Sequence, residues 1–192
     1  VFFRSKKVLC ASSTHDNEEI IIATAHKSLK KKFKNLVTII IPRHINRADK
    51  IIEEIANLSL ITHLHSSKNK IKKNTEIYIV DTYGETEKFF NICKTVFLGG
   101  SLIKHGGQNP LEPARLGCKI IHGPNVNNFN EIYSLLDKNK ISIKVTNLNQ
   151  LISKLRIILK KNVSSEKLIY NLKKLGNVIL YSTLLEIKKF IN

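Results

Sequence analysis

Six short apolar runs alternate with amphipathic segments along the chain, and no other feature limits the fold as tightly. KVLCASS (7–13), LVTIIIP (36–42), EIYIVD (76–81), TVFLGG (95–100), KIIHG (119–123) and ISIKV (141–145) read as strands. The β-branched run at 36–42, closed by Pro42, is the pattern of a strand buried in a sheet interior. Helices are expected at 18–33, at 46–58 with Asn46 as cap, at 84–94, at about 110–116 and at 127–139. Two or three more fill 148–191. Strands that alternate with helices of this length predict an α/β fold: a Rossmann-like, doubly wound parallel sheet with helices on both faces. The expected division is a sheet domain over 1–146 and C-terminal helices over 147–192 that pack on it. The Lys-rich stretch SSKNKIKKNT (66–75) reads as a surface loop.

At 192 residues the chain is long enough for one domain with a proper core. Its apolar runs are too short to cross a bilayer as a helix. The first residue is Val1, followed by no secretory-signal pattern, which suggests a piece of a longer protein. The net charge of +17 raises the possibility of a polyanionic partner. Only five of the 32 basic residues are Arg, however, and base readout favours Arg, so nucleic acid is not the expected partner. The lysines read mainly as solvated surface, with an anionic membrane as the second reading. Cys10, Cys93 and Cys118 are odd in number and far apart, as free thiols in a reducing compartment would be. No His, Cys, Asp or Glu set has metal-ligand spacing, so no metal is expected.

The specialised backbone is concentrated in the middle. Seven of the eight glycines and three of the four prolines lie between Gly84 and Pro124. Ligands of an open α/β sheet bind at the carboxyl ends of its strands. Four stretches are expected there: SSTHDNEE (12–19), PRH (42–44), DTYGE (81–85) and GGSLIKHGGQNPLE (99–112). Pro42 ends a strand, and Arg43 after it is either a solvated loop residue or a bidentate phosphate clamp, with His44 adding a further bond. In DTYGE, Asp81 or Thr82 can cap the following helix, and backbone groups at Tyr83, Gly84 and Glu85 could meet a nucleobase edge. In the glycine-rich loop, Asn109 can cap a helix opened by Pro110 and Leu111, with Glu112 in its first turn. That helix start suits an anion, and Glu112 suits sugar hydroxyls. STHDNEE reads as another cap, with Ser13 or Thr14 ahead of an acidic first turn and His15 near the crevice. His26, His63, His65 and His122 read as structural. The loop lacks the spacing of a dinucleotide fingerprint or a P-loop.

Five segments taken in order carry a family resemblance: STHDNEE (13–19), PRH (42–44), DTYGE (81–85), GGSLIKHGGQNPLEPARLG (99–117) and GPNVNNF (123–129). Over roughly residues 8–140 the chain resembles the C-terminal half of the bacterial 3-deoxy-D-manno-octulosonic acid (Kdo) transferases of lipopolysaccharide synthesis. The resemblance implies one half of a GT-B glycosyltransferase, in which two Rossmann-like domains face each other across a cleft. It implies CMP-Kdo as donor, a lipid A precursor (lipid IVA) as acceptor, inversion at the anomeric centre and no metal or other cofactor. Carried over by position, CMP contacts are expected at Pro42, Arg43, Tyr83, Gly84, Glu85, Asn109, Pro110, Leu111 and Glu112. Ser101, His105 and His44 are candidates for the donor sugar. Family members carry their general base, a Glu, on the N-terminal domain with much of the acceptor site. This chain therefore reads as the donor-binding half, unable to transfer alone. The implied location is the cytoplasmic face of the bacterial inner membrane. Departures from the family pattern are Asn17 where Gly is usual, Tyr83 where Met is common and Gln108 where His is frequent.

Two other readings stand beside this one. A different GT-B-like enzyme, transferase or epimerase, would prefer UDP-sugars. A basic polyanion-binding module would show steep salt dependence and no nucleotide preference.

Overall fold

The computed structural model describes residues 2–161 and 164–191. Seven parallel strands form one sheet in the order β3-β4-β2-β1-β5-β6-β7. They are β1 (Lys7–Thr14), β2 (Leu36–Pro42), β3 (Thr62–Leu64), β4 (Ile77–Ile79), β5 (Thr95–Leu98), β6 (Lys119–His122) and β7 (Ser142–Lys144). The helices are α1 (Glu18–Lys30), α2 (Ala48–Ala56), α3 (Thr86–Ile92), α4 (Leu111–Arg115), α5 (Asn130–Lys138), α6 (Leu148–Lys160) and α7 (Ser165–Ile191). The alternation seen in the sequence is the architecture.

Side chains alternate along each strand, so the central strands feed two cores. Leu9, Ala11 and Ile40 pack with Ile22, Leu29, Ile51 and Leu155 beneath α1, α2 and α6. Their neighbours Cys10, Ile39 and Ile41 pack with Phe89, Phe90, Tyr133 and Leu136 beneath α3 and α5 on the other face. All seven residues of β2 are buried, and its one polar side chain, Thr38, bonds the buried His26 ring at 2.9 Å. Each fully buried Ile or Leu contributes about 1.5–3 kcal/mol of transfer free energy. α6 belongs to the first core through Leu151, Leu155 and Leu159. α7 starts against the second core through Leu168 and Leu172, but Leu180, Tyr181, Leu184, Leu185 and Ile187 are exposed farther along. Among the described residues no helix is long and apolar enough to cross a membrane.

The sequence reading missed β3. Its three residues are only half-buried at the sheet edge, so no apolar run announces them. The chain then returns from β3 to β4 without a helix. Expected caps also shift. α2 begins one residue after Arg47, and neither Asn46 nor any other side chain caps it. Asn147, by contrast, caps α6 by accepting from the Gln150 N–H at 3.0 Å. The three cysteines, remote in sequence, are buried in the second core as free thiols. Burial pushes the Cys118 thiol up to about 12, and its Sγ donates to the carbonyls of Phe90 and Cys93.

Candidate functional site

The sheet order reverses beside β1. The chain runs outward from β1 through β2 to β4 and β3, then returns to place β5 on the other side of β1. The loops after β1 and β5 therefore diverge at their carboxyl ends, leaving the crevice where ligands of such sheets bind. Three of the four stretches singled out in the sequence meet here through contacts of backbone and side chain. Gly99 N–H donates to the Ser12 carbonyl at 2.9 Å, and Arg43 N–H donates to the Thr14 carbonyl at 3.0 Å. A side chain at Gly99 would collide with the Ser13–Thr14 backbone, which explains the glycine.

The organiser of the crevice is Glu18, a residue the sequence reading passed over as part of an acidic first turn. It is fully buried, and its carboxylate accepts from four backbone N–H groups. These are His15 at 3.1 Å, Gly100 at 2.7 Å, Ser101 at 3.1 Å and Leu102 at 3.0 Å. One side chain thus ties the loop after β1 to the loop after β5. Burial pushes its pKa up, and the four N–H bonds oppose that shift. Neither Ser13 nor Thr14 caps α1. Ser13 takes a positive φ of 54° at the irregularity in β1, and the Thr14 hydroxyl is buried without a partner among the described residues. Asn17, which precedes α1, has φ 71°, so the family's usual glycine there has a conformational reason that Asn also satisfies.

Three histidines from three loops gather above Glu18. The His15 ring, only 8% exposed, lies 3.8 Å centroid to centroid from His105 and 6.1 Å from His44. The Gln108 amide donates to His15 Nε2 at 3.4 Å. Gly100, at φ 64°, runs beneath them, and a Cβ there would touch His105, His15 and Gln108. Burial lowers the pKa of His15 to about 4, helped by His105, His44, Arg47 and Arg43.

The two arginines beside the crevice have opposite fates. Arg47 bonds Glu19 at 2.8 Å and Asp16 at 2.5 Å. Burial works against its charge, but those two carboxylates outweigh it and raise its pKa. Arg43 is exposed, and its guanidinium has no partner among the described residues. Pro42 is buried as the last residue of β2, and His44 is exposed.

The remaining expected positions are placed as follows. Tyr83 is 71% exposed, and Gly84 has φ 79° with open space around it. Glu85 flanks α3 and pairs with Lys88 at 2.9 Å. The expected caps of α3 are not formed, because Asp81 accepts from Ser66 N and Oγ and no side chain caps the helix. Asn109 does act at the start of α4: its Oδ1 accepts from Leu111 N–H at 3.0 Å, with Pro110 as the flanking residue. Glu112 is exposed without a side-chain partner among the described residues. Ser101 is the exception. It is fully buried; its hydroxyl donates to the Leu98 carbonyl and accepts from Gly123 N–H at 2.8 Å. Its hydroxyl, expected at the donor sugar, is spent on joining two loops. Among the described residues no group of three or more His, Cys, Asp or Glu could hold a metal ion.

No family model matches the chain. Over 134 residues it is 34% identical to the 3-deoxy-D-manno-octulosonic acid transferase of Haemophilus influenzae, covering 69% of this chain and 31% of that protein. Over 166 residues it is 33% identical to the transferase of the same description from Rickettsia conorii, covering 86% and 36%. The crystal structure of the C-terminal CMP-Kdo binding domain of WaaA from Acinetobacter baumannii is 30% identical, covers 90% of each chain and superposes with a TM-score of 0.83. The chain belongs to the Kdo transferase family. It spans about a third of the length of these curated Kdo transferases and corresponds to their C-terminal half. The Rossmann-like half of a GT-B glycosyltransferase, expected from the motifs, agrees with that match. Each Kdo transferase motif lies on a loop at the carboxyl edge of the sheet or, for GPNVNNF, just behind it, where Asn125 N–H donates to the Ser101 carbonyl at 2.9 Å.

Proposed function

We propose that this chain is the donor-nucleotide-binding part of a Kdo transferase and holds CMP-Kdo at the crevice beside β1. The observation that carries the reading is Arg43, an unpartnered guanidinium on a rigid strand end at the switch point. A planar, always-charged fork suits a phosphate held by two hydrogen bonds. In transfer it would stabilise the negative charge of the leaving CMP phosphate, which the reading asks of no metal. The backbone of Tyr83, Gly84 and Glu85 would meet the cytosine edge, since Gly84 leaves open space there. Asn109, Pro110, Leu111 and Glu112 would line the ribose, with the free Glu112 carboxylate accepting from its hydroxyls.

The acceptor in this proposal is a lipid A precursor, held with the general base by a second domain that faces this crevice. The chain alone would then bind donor without transferring it, and transfer in the whole enzyme would invert the anomeric centre. A peripheral position on the cytoplasmic face of the inner membrane is supported by the lysines that collect at the sheet's other edge. Calorimetric titration with CMP and UMP tests the reading. CMP-selective binding that Arg43→Ala removes is expected. Equal binding of UMP would move the assignment to a UDP-sugar enzyme.

A further inference from the structure

We propose that Ser66 is a positioning residue for the nucleobase: by gripping Asp81 it fixes the peptides of the Tyr83–Gly84 turn and so sets the preference for cytosine over uracil. This rests on the nucleotide reading above. It adds to that reading two side chains, neither of them an expected ligand contact, that decide which base is accepted.

The turn does not hold itself. Tyr83 is 71% exposed, and Gly84 sits at φ 79° with open space where a side chain would be. No side chain caps α3 after it, and the Thr82 hydroxyl is buried without a partner among the described residues. Positive φ at a turn glycine is one of two states that differ by a flip of the preceding peptide, and glycine tolerates both.

The restraint comes from the loop after β3, the edge strand that no apolar run announced. His65 N–H donates to the Ile79 carbonyl at 2.8 Å, which registers this loop against the end of β4. Ser66 then grips Asp81 twice, N–H to Oδ1 at 2.9 Å and Oγ to Oδ2 at 2.5 Å. Burial works against the Asp81 charge, but the bonds from Ser66 lead the effects that hold its pKa below the ordinary carboxylate value. The His65 ring is wedged beside them. Its Nδ1 lies 2.7 Å from the Tyr78 hydroxyl, its centroid 5.4 Å from that of Phe89 and its Nε2 4.0 Å from Glu85. The DTYGE stretch is thus fastened at its first residue by Ser66 and flanked at its last by His65.

A fixed turn matters because the two bases differ in polarity at one edge. Cytosine presents an amino donor where uracil presents a carbonyl acceptor. A flip of the Tyr83–Gly84 peptide exchanges an N–H for a C=O at the same place, and with it the base that fits. A turn free to flip serves both bases, whereas one fastened before the ligand arrives serves one.

The test is calorimetric titration of the chain with CMP and with UMP, in the wild type and in Ser66→Ala, Ser66→Thr and Asp81→Ala. Thermal unfolding checks that each variant folds; Ser66 is exposed, so Ser66→Ala carries the test even if Asp81→Ala does not fold. The wild type is expected to prefer CMP by about tenfold or more. Ser66→Ala should cut that ratio about threefold and Asp81→Ala about tenfold, by weakening CMP while UMP stays within about twofold. Ser66→Thr, which keeps the hydroxyl, should restore the ratio. Variants that weaken CMP and UMP in parallel would reveal a contact that only supports the fold and would overturn the positioning role. A ratio unchanged in Ser66→Ala would do the same, and CMP binding lost in Arg43→Ala would still leave the nucleotide reading standing. A wild type that binds UMP as tightly as CMP, or binds neither, would overturn both.

Discussion

The two edges of this sheet are built from the same strands and helices, yet they share almost no chemistry. At the carboxyl edge, loops rich in glycine are tied together by buried groups; Asp16 and Glu19 pair with Arg47, while Arg43, His44, His105 and Glu112 stand exposed. At the amino edge the loops are short and basic: Lys31, Lys32 and Lys34 before β2, Lys94 before β5, Lys140 before β7, and Lys160 and Lys161 after α6. The lysines there crowd one another, and Lys160 pulls Lys32 below its ordinary pKa. A parallel sheet with crossover helices explains the contrast. The helices that follow strands, α1 to α6, have their N-termini at one edge and their C-termini at the other, so free N–H groups gather at one and free carbonyls at the other. Lysines serve the second edge: Lys7 Nζ donates to the Leu159 carbonyl at 2.8 Å and Lys27 Nζ to the Leu58 carbonyl at 2.7 Å. Lys119 Nζ likewise donates to the Lys140 carbonyl. An open cavity of about 670 Å³ at this edge has Phe3, Ile92 and Ile158 on its walls with Arg4, Lys94 and Lys161 around them. Much of the net charge is therefore structural complement to helix ends, and the remainder faces solvent where an anionic surface could meet it.

The comparison can be broken most directly at Glu18. Glu18→Leu should destabilise the chain by roughly 4 kcal/mol or more, because four buried N–H groups lose their acceptor at about 1–3 kcal/mol each. Chemical denaturation measures this, and a loss below about 1 kcal/mol would show that the loops after β1 and β5 hold together without it. An acid titration comes next. His26 is fully buried against Thr38, and burial lowers its pKa to about 3. The unfolded chain takes up its proton near pH 6.5 while the folded one resists, so stability should fall as pH drops from about 6.5 toward 3. The full His26 contribution is on the order of 5 kcal/mol, with His15 adding to the fall down to about pH 4. Replacing His26 by Gln should flatten the slope.

Arg43→Ala sharpens the functional side of the contrast. It should weaken CMP binding by about 30-fold or more at unchanged stability, since it removes a charged hydrogen-bond pair worth roughly 2–3 kcal/mol. Arg47→Ala should do the reverse and lower stability, as it strands the buried Glu19. At the amino edge, Lys7→Met should cost about 1 kcal/mol of stability through the lost bond to Leu159 and leave CMP affinity unchanged. The smallest effect belongs to Asn17→Gly. Asn17→Gly should change stability by no more than about 0.5 kcal/mol, whereas Asn17→Val at φ 71° should cost about 1–2 kcal/mol.

Much of this was legible before any coordinates. The β-branched run at 36–42 and the alternation around it dictate parallel strands and crossover helices, because period-2 and period-3.6 patterns are local properties of sequence. The glycine cluster and Arg43 followed from that frame, since strand ends in such sheets share one edge. The amphipathic signal failed at β3, where Thr62–Leu64 is half-buried and carries no distinct pattern.

What the sequence by itself determined is the order of elements, the edge on which the motifs gather and the residue types offered there. Only the tertiary structure decided which of those residues are spent on the scaffold. Glu18 and Glu19 are adjacent and chemically identical, yet one accepts four N–H groups and the other pairs with Arg47. Ser101 and His105 sit four positions apart in one loop, but the first is sealed between Leu98 and Gly123 and the second stands in the crevice. The reason is physical: burial and hydrogen-bond saturation depend on contacts far apart in sequence, from Ser101 with Gly123 to Glu18 with Gly100, and no local pattern encodes them.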